Sequence, residues 1–393
     1  MGRMPAVEPR NRLVALDALR GVAAVIVLVH HISMTSPAVS AAYSSSTDVP
    51  IFSTGWWATL SPLKIFFAGP EFVLVFFVLS GFVLVLSPLR QSVRGYNWLA
   101  YYPRRIVRLA IPVVVSVVLA AMWIALVPRT GVGGAWMAKQ GSPDLGLGNL
   151  LREASIVGYT GRPDVNPPLW SLAWEMWFSL LLPVGVILAV ATRRWTLSWA
   201  AALLAASTIG YLLAVEPLMY LPAFALGALL AANHRSLQAT STRLAGGPAG
   251  TLAWAVLAAL GPLLLIAHWL FRPVLTGPWN ELTLALRVPG AVLIVATVAL
   301  WPPVQRLLSG RLLGWLGRIS FSLYLVHFPV VVTFGQVFGP ERWWWGALVS
   351  VPVSLGLAQL MYRWVELPAQ ALAARVGAAF SAGQARAKAA TPA

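Results

Sequence analysis

Ten stretches of this sequence stay apolar for long enough to cross a hydrocarbon layer, and no other feature narrows the possible folds so far. They run near 13–34, 65–87, 106–127, 170–191, 196–215, 218–233, 250–271, 282–301, 312–336 and 343–366. About 20 residues of helix cover roughly 30 Å of bilayer core. The runs are continuous rather than alternating, which argues against a β-barrel and predicts an all-α polytopic membrane protein of about ten helices. Composition agrees: 59% of the 393 residues are hydrophobic and only 10% charged, where a soluble domain carries about 25%. The sixth run is the shortest, and Pro217 and Pro222 interrupt it.

The charges set an orientation. With the N-terminus placed in the cytoplasm, nineteen Lys and Arg fall on the inner side, among them Arg3, Arg10, Arg12, Arg94, Arg104, Arg105, Arg108, Arg193 and Arg318. The outer side receives eight: Lys64, Arg129, Lys139, Arg152, Arg162, Arg272, Arg287 and Arg342. This positive-inside bias predicts that both termini are cytoplasmic. It also makes the formal charge of +16 a record of topology rather than of nucleic-acid binding. No charged n-region with a short apolar core opens the chain, so no cleaved signal peptide is expected. The sequence contains no cysteine, which excludes disulfides, thiolate catalysis and Cys-based metal sites. Residues 1–12 read as a cytoplasmic N-terminal segment, 13–366 as one transmembrane domain, and the Ala-rich 367–393 as a disordered cytoplasmic tail.

Several costly polar residues lie within these apolar runs. Arg20 and His31 stand eleven residues apart in the first one. At 100° per residue that is three turns plus about 20°, so the two share a helix face with a rise of roughly 16 Å, while His30 falls about 80° away. Intramembrane charge of this kind is a functional signal by default; an Arg reaching the interface and a His satisfied by a neighbouring helix is the plainer reading. Topology places His31, Glu71, Glu175 and His327 in the outer half, on four different helices. They can therefore meet in one layer as a base with carboxylate partners, or each carboxylate can serve as a buried ion-pair partner. On the inner side, Tyr101-Tyr102-Pro103-Arg104-Arg105-Ile106-Val107-Arg108 reads either as an interfacial anchor or as a set of arginine forks for phosphates. Ser80-Gly81 makes a notch suited to helix packing or to a ligand path. Arg363 and Glu366, spaced i, i+3, are expected to pair. No phosphate loop, zinc-type His and carboxylate spacing or Gly-x-Ser-x-Gly elbow is present, so no metal is expected.

Taken together, these segments resemble the acyltransferase-3 family of integral membrane acyltransferases. Leu16-Asp17-Ala18-Leu19-Arg20-Gly21 through His31 is similar to its opening Arg-x10-His motif. Phe76-Phe77-Val78-Leu79-Ser80-Gly81-Phe82 resembles its second-helix signature, and Arg105-x-x-Arg108 its basic motif. Trp170-Ser171-Leu172 with Glu175, Ile319-Ser320 through His327 (including Tyr324), and Tyr362-Arg363 through Pro368 resemble later blocks. The match runs in order from about residue 12 to residue 369. Ala18 stands where Gly is usual, and Phe178-Ser179 where Phe-Tyr is common.

The resemblance implies transfer of an acyl group, acetyl above all, from cytoplasmic acyl-CoA to a hydroxyl on a carbohydrate, glycolipid or glycosylated metabolite. It implies His31 as the essential histidine with Arg20 beside it, in a multi-pass protein of a bacterial plasma membrane. No permanently bound cofactor is implied, only acyl-CoA as donor, with membrane lipid around the protein and no nucleic acid. A member without a fused esterase-like domain is expected. In the expected mechanism Arg104, Arg105 and Arg108 hold the CoA phosphates, and the pantetheine arm passes Ser80 and Arg20. His31, oriented by Glu175, then deprotonates the acceptor, with a transient acyl-His as the variant. Glu71, Tyr324 and His327 are further candidates. The rival class is a transporter or flippase of a glycoconjugate, in which intramembrane charge marks a transport path and the proline-bearing sixth helix is broken.

Overall fold

The computed structural model describes residues 9–45, 49–91, 93, 95–156, 162–244 and 247–390. Residues 1–8 and Arg94, which enter the charge argument above, lie outside them. Every predicted apolar run is helical, and no strand occurs among the described residues. Helix α1 (Pro9–Met34) leads into two short helices, α2 (Pro37–Ser44) and α3 (Thr54–Thr59), before α4 (Gly69–Gln91) returns. After α5 (Trp98–Leu126), the second long connection carries α6 (Ala135–Ala138) and α7 (Leu147–Ala154). Then follow α8 (Trp170–Leu180), α9 (Leu182–Ala191), α10 (Thr196–Leu213), α11 (Glu216–Ala232) and α12 (His234–Leu244). The last third contains α13 (Pro248–Phe271), α14 (Pro278–Ala285), α15 (Arg287–Leu300), α16 (Pro302–Leu308), α17 (Arg311–Phe338), α18 (Trp343–Met361) and α19 (Leu367–Ala390).

Among the described residues, eight helical segments are long and apolar enough to span a membrane, or nine when α8 and α9, bent by 62°, are taken as one broken span. The expected sixth run is α11, apolar but only 17 residues long. Pro217 does not interrupt it: the residue sits in the first turn, where the missing N–H has no intrahelical partner to lose. The bundle is built around α1, α4 and α17, whose spanning windows are 67%, 61% and 67% buried, against 11% for the span containing α10 and 22% for α13.

Two glycine contacts set the register of this centre. A Cβ on Gly21 of α1 would lie 2.5 Å from the backbone nitrogen of Gly317 on α17. Only hydrogen fits there, so these helices touch backbone to backbone at their first-third level. Gly81 of α4 abuts the Phe224 carbonyl of α11, and Gly227 abuts the Val78 carbonyl in return. The Ser80-Gly81 notch is thus a packing device.

Two sequence expectations change here. The segment from Leu367 was expected to be disordered; instead it is helical to Ala390 and packs on α5, with Ala369 and Ala373 buried and Gly377 against Arg104. Alanine runs are strong helix formers, and small side chains permit close docking on a neighbour. Arg363 and Glu366 do not pair. Tyr362–Glu366 forms a π-turn, which widens the i, i+3 spacing, and Glu366 accepts from Ser322 at 2.7 Å and Gln370 at 3.1 Å.

Candidate active site

The parallel register of α1 and α17 creates the site. Gly21 faces Gly317, and ten residues further along each helix His31 faces His327. His31 Nδ1 lies 3.0 Å from the Val27 carbonyl and 3.0 Å from His327 Nε2. His327 Nδ1 lies 3.0 Å from the Leu323 carbonyl. A carbonyl can only accept, so each Nδ1 carries the proton. His327 Nε2 then presents a lone pair to the His31 Nδ1–H, which it shares with Val27. His31 Nε2 is left as a lone pair with no protein partner among the described residues.

That ring lines a chamber of about 570 Å³ at the end of the bundle carrying α2, α3, α6 and α7. Phe328 and Trp136 flank His31 at 5.2 and 6.0 Å. Trp136 comes from the long connection after α5, whose composition carried no signal beyond its length.

A strap over 162–168 closes one side of the chamber, and its backbone groups are satisfied from two directions. Glu153 of α7 accepts the N–H groups of Asp164, Val165 and Asn166 at 2.8, 2.9 and 3.0 Å. Arg129 donates to the carbonyls of Asp164 and Val165 at 2.8 and 2.7 Å. Burial brings the Arg129 pKa down to about 10, opposed by Glu153 and Asp164. Pro329 of α17 has no N–H, which frees the Leu325 carbonyl; Asn166 donates to it at 2.9 Å. Tyr324 donates to the Pro168 carbonyl at 3.1 Å and bonds Ser171 at 2.8 Å. The strap is thereby fixed to the helix that carries His327.

The expected four-residue layer does not form. Glu175 is turned away from His31 and accepts from Arg105 at 2.5 Å, with Ser80 at 3.4 Å. Glu175 stands on the side of α8 that meets Arg105 of α5. Pro183 removes the donor for the Ser179 carbonyl, and Tyr101 fills that role at 3.2 Å, while Tyr102 donates to the Leu180 carbonyl at 3.1 Å. Arg105 also donates to Ser179 Oγ at 3.0 Å, using the residue that departs from the family pattern. Much of the basic aromatic motif therefore holds a broken helix together.

The three arginines of that motif part company. Arg104 lines a separate cavity with Asn97, Tyr101 and Gly377. Arg105 is committed to Glu175. Arg108 is exposed and stands within electrostatic reach of Arg20 and Glu366. Arg20 itself is half-buried, 3.9 Å from Asp17.

Glu71 also lies elsewhere, fully buried, accepting from Trp269 at 2.9 Å and paired with Arg287 at 3.3 Å. Lys64 and Arg287, counted from sequence as outer-side charges, are in fact its neighbours, Lys64 fully buried and Arg287 partly so. His30, which the helical wheel turned away from the site, lines the same chamber and bonds the Phe67 carbonyl at 2.9 Å. The wheel gave its angle correctly, but the chamber is wide enough to take both faces.

The family model described as an acyltransferase domain matches residues 13–363. A Bacillus subtilis protein named as a peptidoglycan O-acetyltransferase is 26% identical over 318 residues, which cover 75% of this chain and 49% of that protein. An acyltransferase of a Phoma species is 22% identical over 445 aligned residues, covering 90% of this chain and 91% of its own. The chain thus spans about half the length of the first relative and most of the second. No solved structure matches.

Proposed function

The chain belongs to the acyltransferase-3 family of membrane acyltransferases, and from that premise we propose that it moves an acetyl group from acetyl-CoA to a hydroxyl of a carbohydrate or glycoconjugate, with His31 as general base. One observation carries the reading. His31 offers a free Nε2 to a chamber while its Nδ1–H is held by His327 at 3.0 Å.

In this mechanism the acceptor hydroxyl sits against His31 Nε2. The nitrogen takes the proton as the hydroxyl oxygen attacks the thioester carbonyl, and the imidazolium is held through Nδ1–H by His327. When the tetrahedral intermediate collapses, the C–S bond breaks and the departing CoA sulfur takes the proton back from Nε2. The ester and free CoA leave, and His31 returns neutral.

Arg20 and Arg108 are the cations left to meet donor phosphates, since Arg105 is spent on Glu175. With the N-terminus cytoplasmic, the donor comes from the inner end and the acceptor from the chamber end. The relative named as a peptidoglycan O-acetyltransferase supports a sugar acceptor in the cell envelope.

Membranes containing the protein, supplied with acetyl-CoA and a panel of glycosides, should release CoA. His31→Ala should lose about 10²-fold or more of that rate, the usual contribution of a positioned base. Full activity in His31→Ala would sink the assignment.

A further inference from the structure

Beside the His31 chamber lies a second hollow of about 480 Å³, which shares Tyr43, Pro70, Arg162 and Trp170 with it. The proton transfer described above makes no use of this space. Its walls are aromatic: the Trp170 and Trp174 rings stand 5.3 and 5.6 Å from that of Tyr220, and Tyr211 lines it as well. Polar groups stand among these rings. Glu71 holds Arg287 at 3.3 Å, and Arg287 Nε is buried with no partner. Among the described residues, the Tyr211 and Tyr220 hydroxyls make no hydrogen bond, and Glu216 also lines the hollow.

The chemistry of these walls selects the occupant. A hydrocarbon chain would cover the rings but leave two phenols and Arg287 Nε without a partner, which is unfavourable. A strongly anionic ligand would find little excess charge, since Glu216 and Glu71 offset Arg162 and Arg287. A pyranose ring has C–H faces that lie flat on aromatic rings and hydroxyl edges that bond phenols and guanidinium. The volume falls in the roughly 300–1,000 Å³ range of small-molecule sites.

We infer that this aromatic gallery is the acceptor subsite and that it holds a pyranoside ring while one hydroxyl reaches His31 in the adjoining chamber. The inference rests on the acyltransferase reading above and adds where, and by which side chains, the acceptor is recognised.

The test uses the full chain in lipid nanodiscs with acetyl-CoA and p-nitrophenyl β-glycosides as acceptor probes. Trp174→Ala should raise the acceptor KM about tenfold and change kcat by less than about twofold; Tyr220→Phe should raise it less, because the ring remains. Trp344→Ala, an exposed residue on α18, should leave KM unchanged. An unaltered acceptor KM in Trp174→Ala would overturn the proposal. So would an equal KM rise for a simple alkyl alcohol, which would assign the gallery to an apolar chain. Glycoside binding measured by saturation-transfer NMR without any acyl-CoA separates the two readings. Binding by the parent protein that Trp174→Ala loses supports the subsite even if no acyl transfer is found, and equal binding by both proteins overturns it.

Discussion

Replacing His327 by Leu tests the site at the point where its geometry is most specific. Leu fills a similar apolar volume but accepts nothing, so His31 Nδ1–H keeps only the Val27 carbonyl. In the resting state the lost bond is neutral and worth about 1 kcal/mol; against an imidazolium the same bond is worth about 1.5–3 kcal/mol. The difference, about 0.5–2 kcal/mol, is felt only as charge develops on His31, and it converts to roughly a 2- to 30-fold fall in kcat. Acetyl-CoA and acceptor KM values should hardly move. His327→Gln, whose amide oxygen can accept from Nδ1–H, should recover part of the loss. Free CoA is read with a thiol-reactive dye, and because the chain has no cysteine the protein adds no background. Two results would refute the reasoning. A folded His327→Leu protein with unchanged kcat would show that the contact is idle. A loss as deep as that of His31→Ala would show that His327 handles the reacting proton itself.

Two other perturbations probe the scaffold. Glu175→Gln strands the Arg105 charge in a site where the two side chains are 10% and 20% exposed, so stability should fall by about 3 kcal/mol, while Arg105→Met with Glu175→Leu should restore most of it; an unchanged melting temperature with a raised acetyl-CoA KM would mean that Arg105 is held for phosphate instead. Lys64, sealed against the rings of Tyr43 and Trp269 at 4.8 and 4.3 Å, is pushed down to about 8 by burial, with Glu71 opposing. Its folded value lies below the unfolded 10.5, so between pH 8 and 10.5 the unfolded chain holds the extra proton and stability rises with pH, by about 3 kcal/mol in all. Melting curves of the parent protein against Lys64→Met should diverge in that direction, and parallel curves would refute the burial.

Length and hydropathy alone located every membrane-crossing run, because a 20-residue apolar segment has few other fates. Periodicity separated the faces of His31 and His30, and family motifs marked His327. What stayed hidden was partnership. Glu175 and Glu71 each found an arginine, Arg105 of α5 and Arg287 of α15, from helices far off in sequence. Neither pairing leaves a mark in composition. Pro183 and Pro329 did announce carbonyls without donors, but the residues that answer them, Tyr101 and Asn166, lie 82 and 163 positions away. Lys64 and Arg287 were counted only as outer-side charges because positive-inside counting assigns residues to sides, not to depths.

The pairing of α1 with α17 also has a consequence in time. His31 and His327 lie 296 residues apart along the chain, and synthesis proceeds at roughly 5–20 residues per second. On the order of 15–60 s therefore separates the emergence of the two halves of the dyad. Throughout that interval α1 lacks its most extensive partner and has only α4 and the smaller contacts with α2, α15 and α16 to pack on. The dyad closes only when α17 slides in along the glycine seam, so a chain cut short anywhere before it would carry the opening motif intact and still lack the His31–His327 contact.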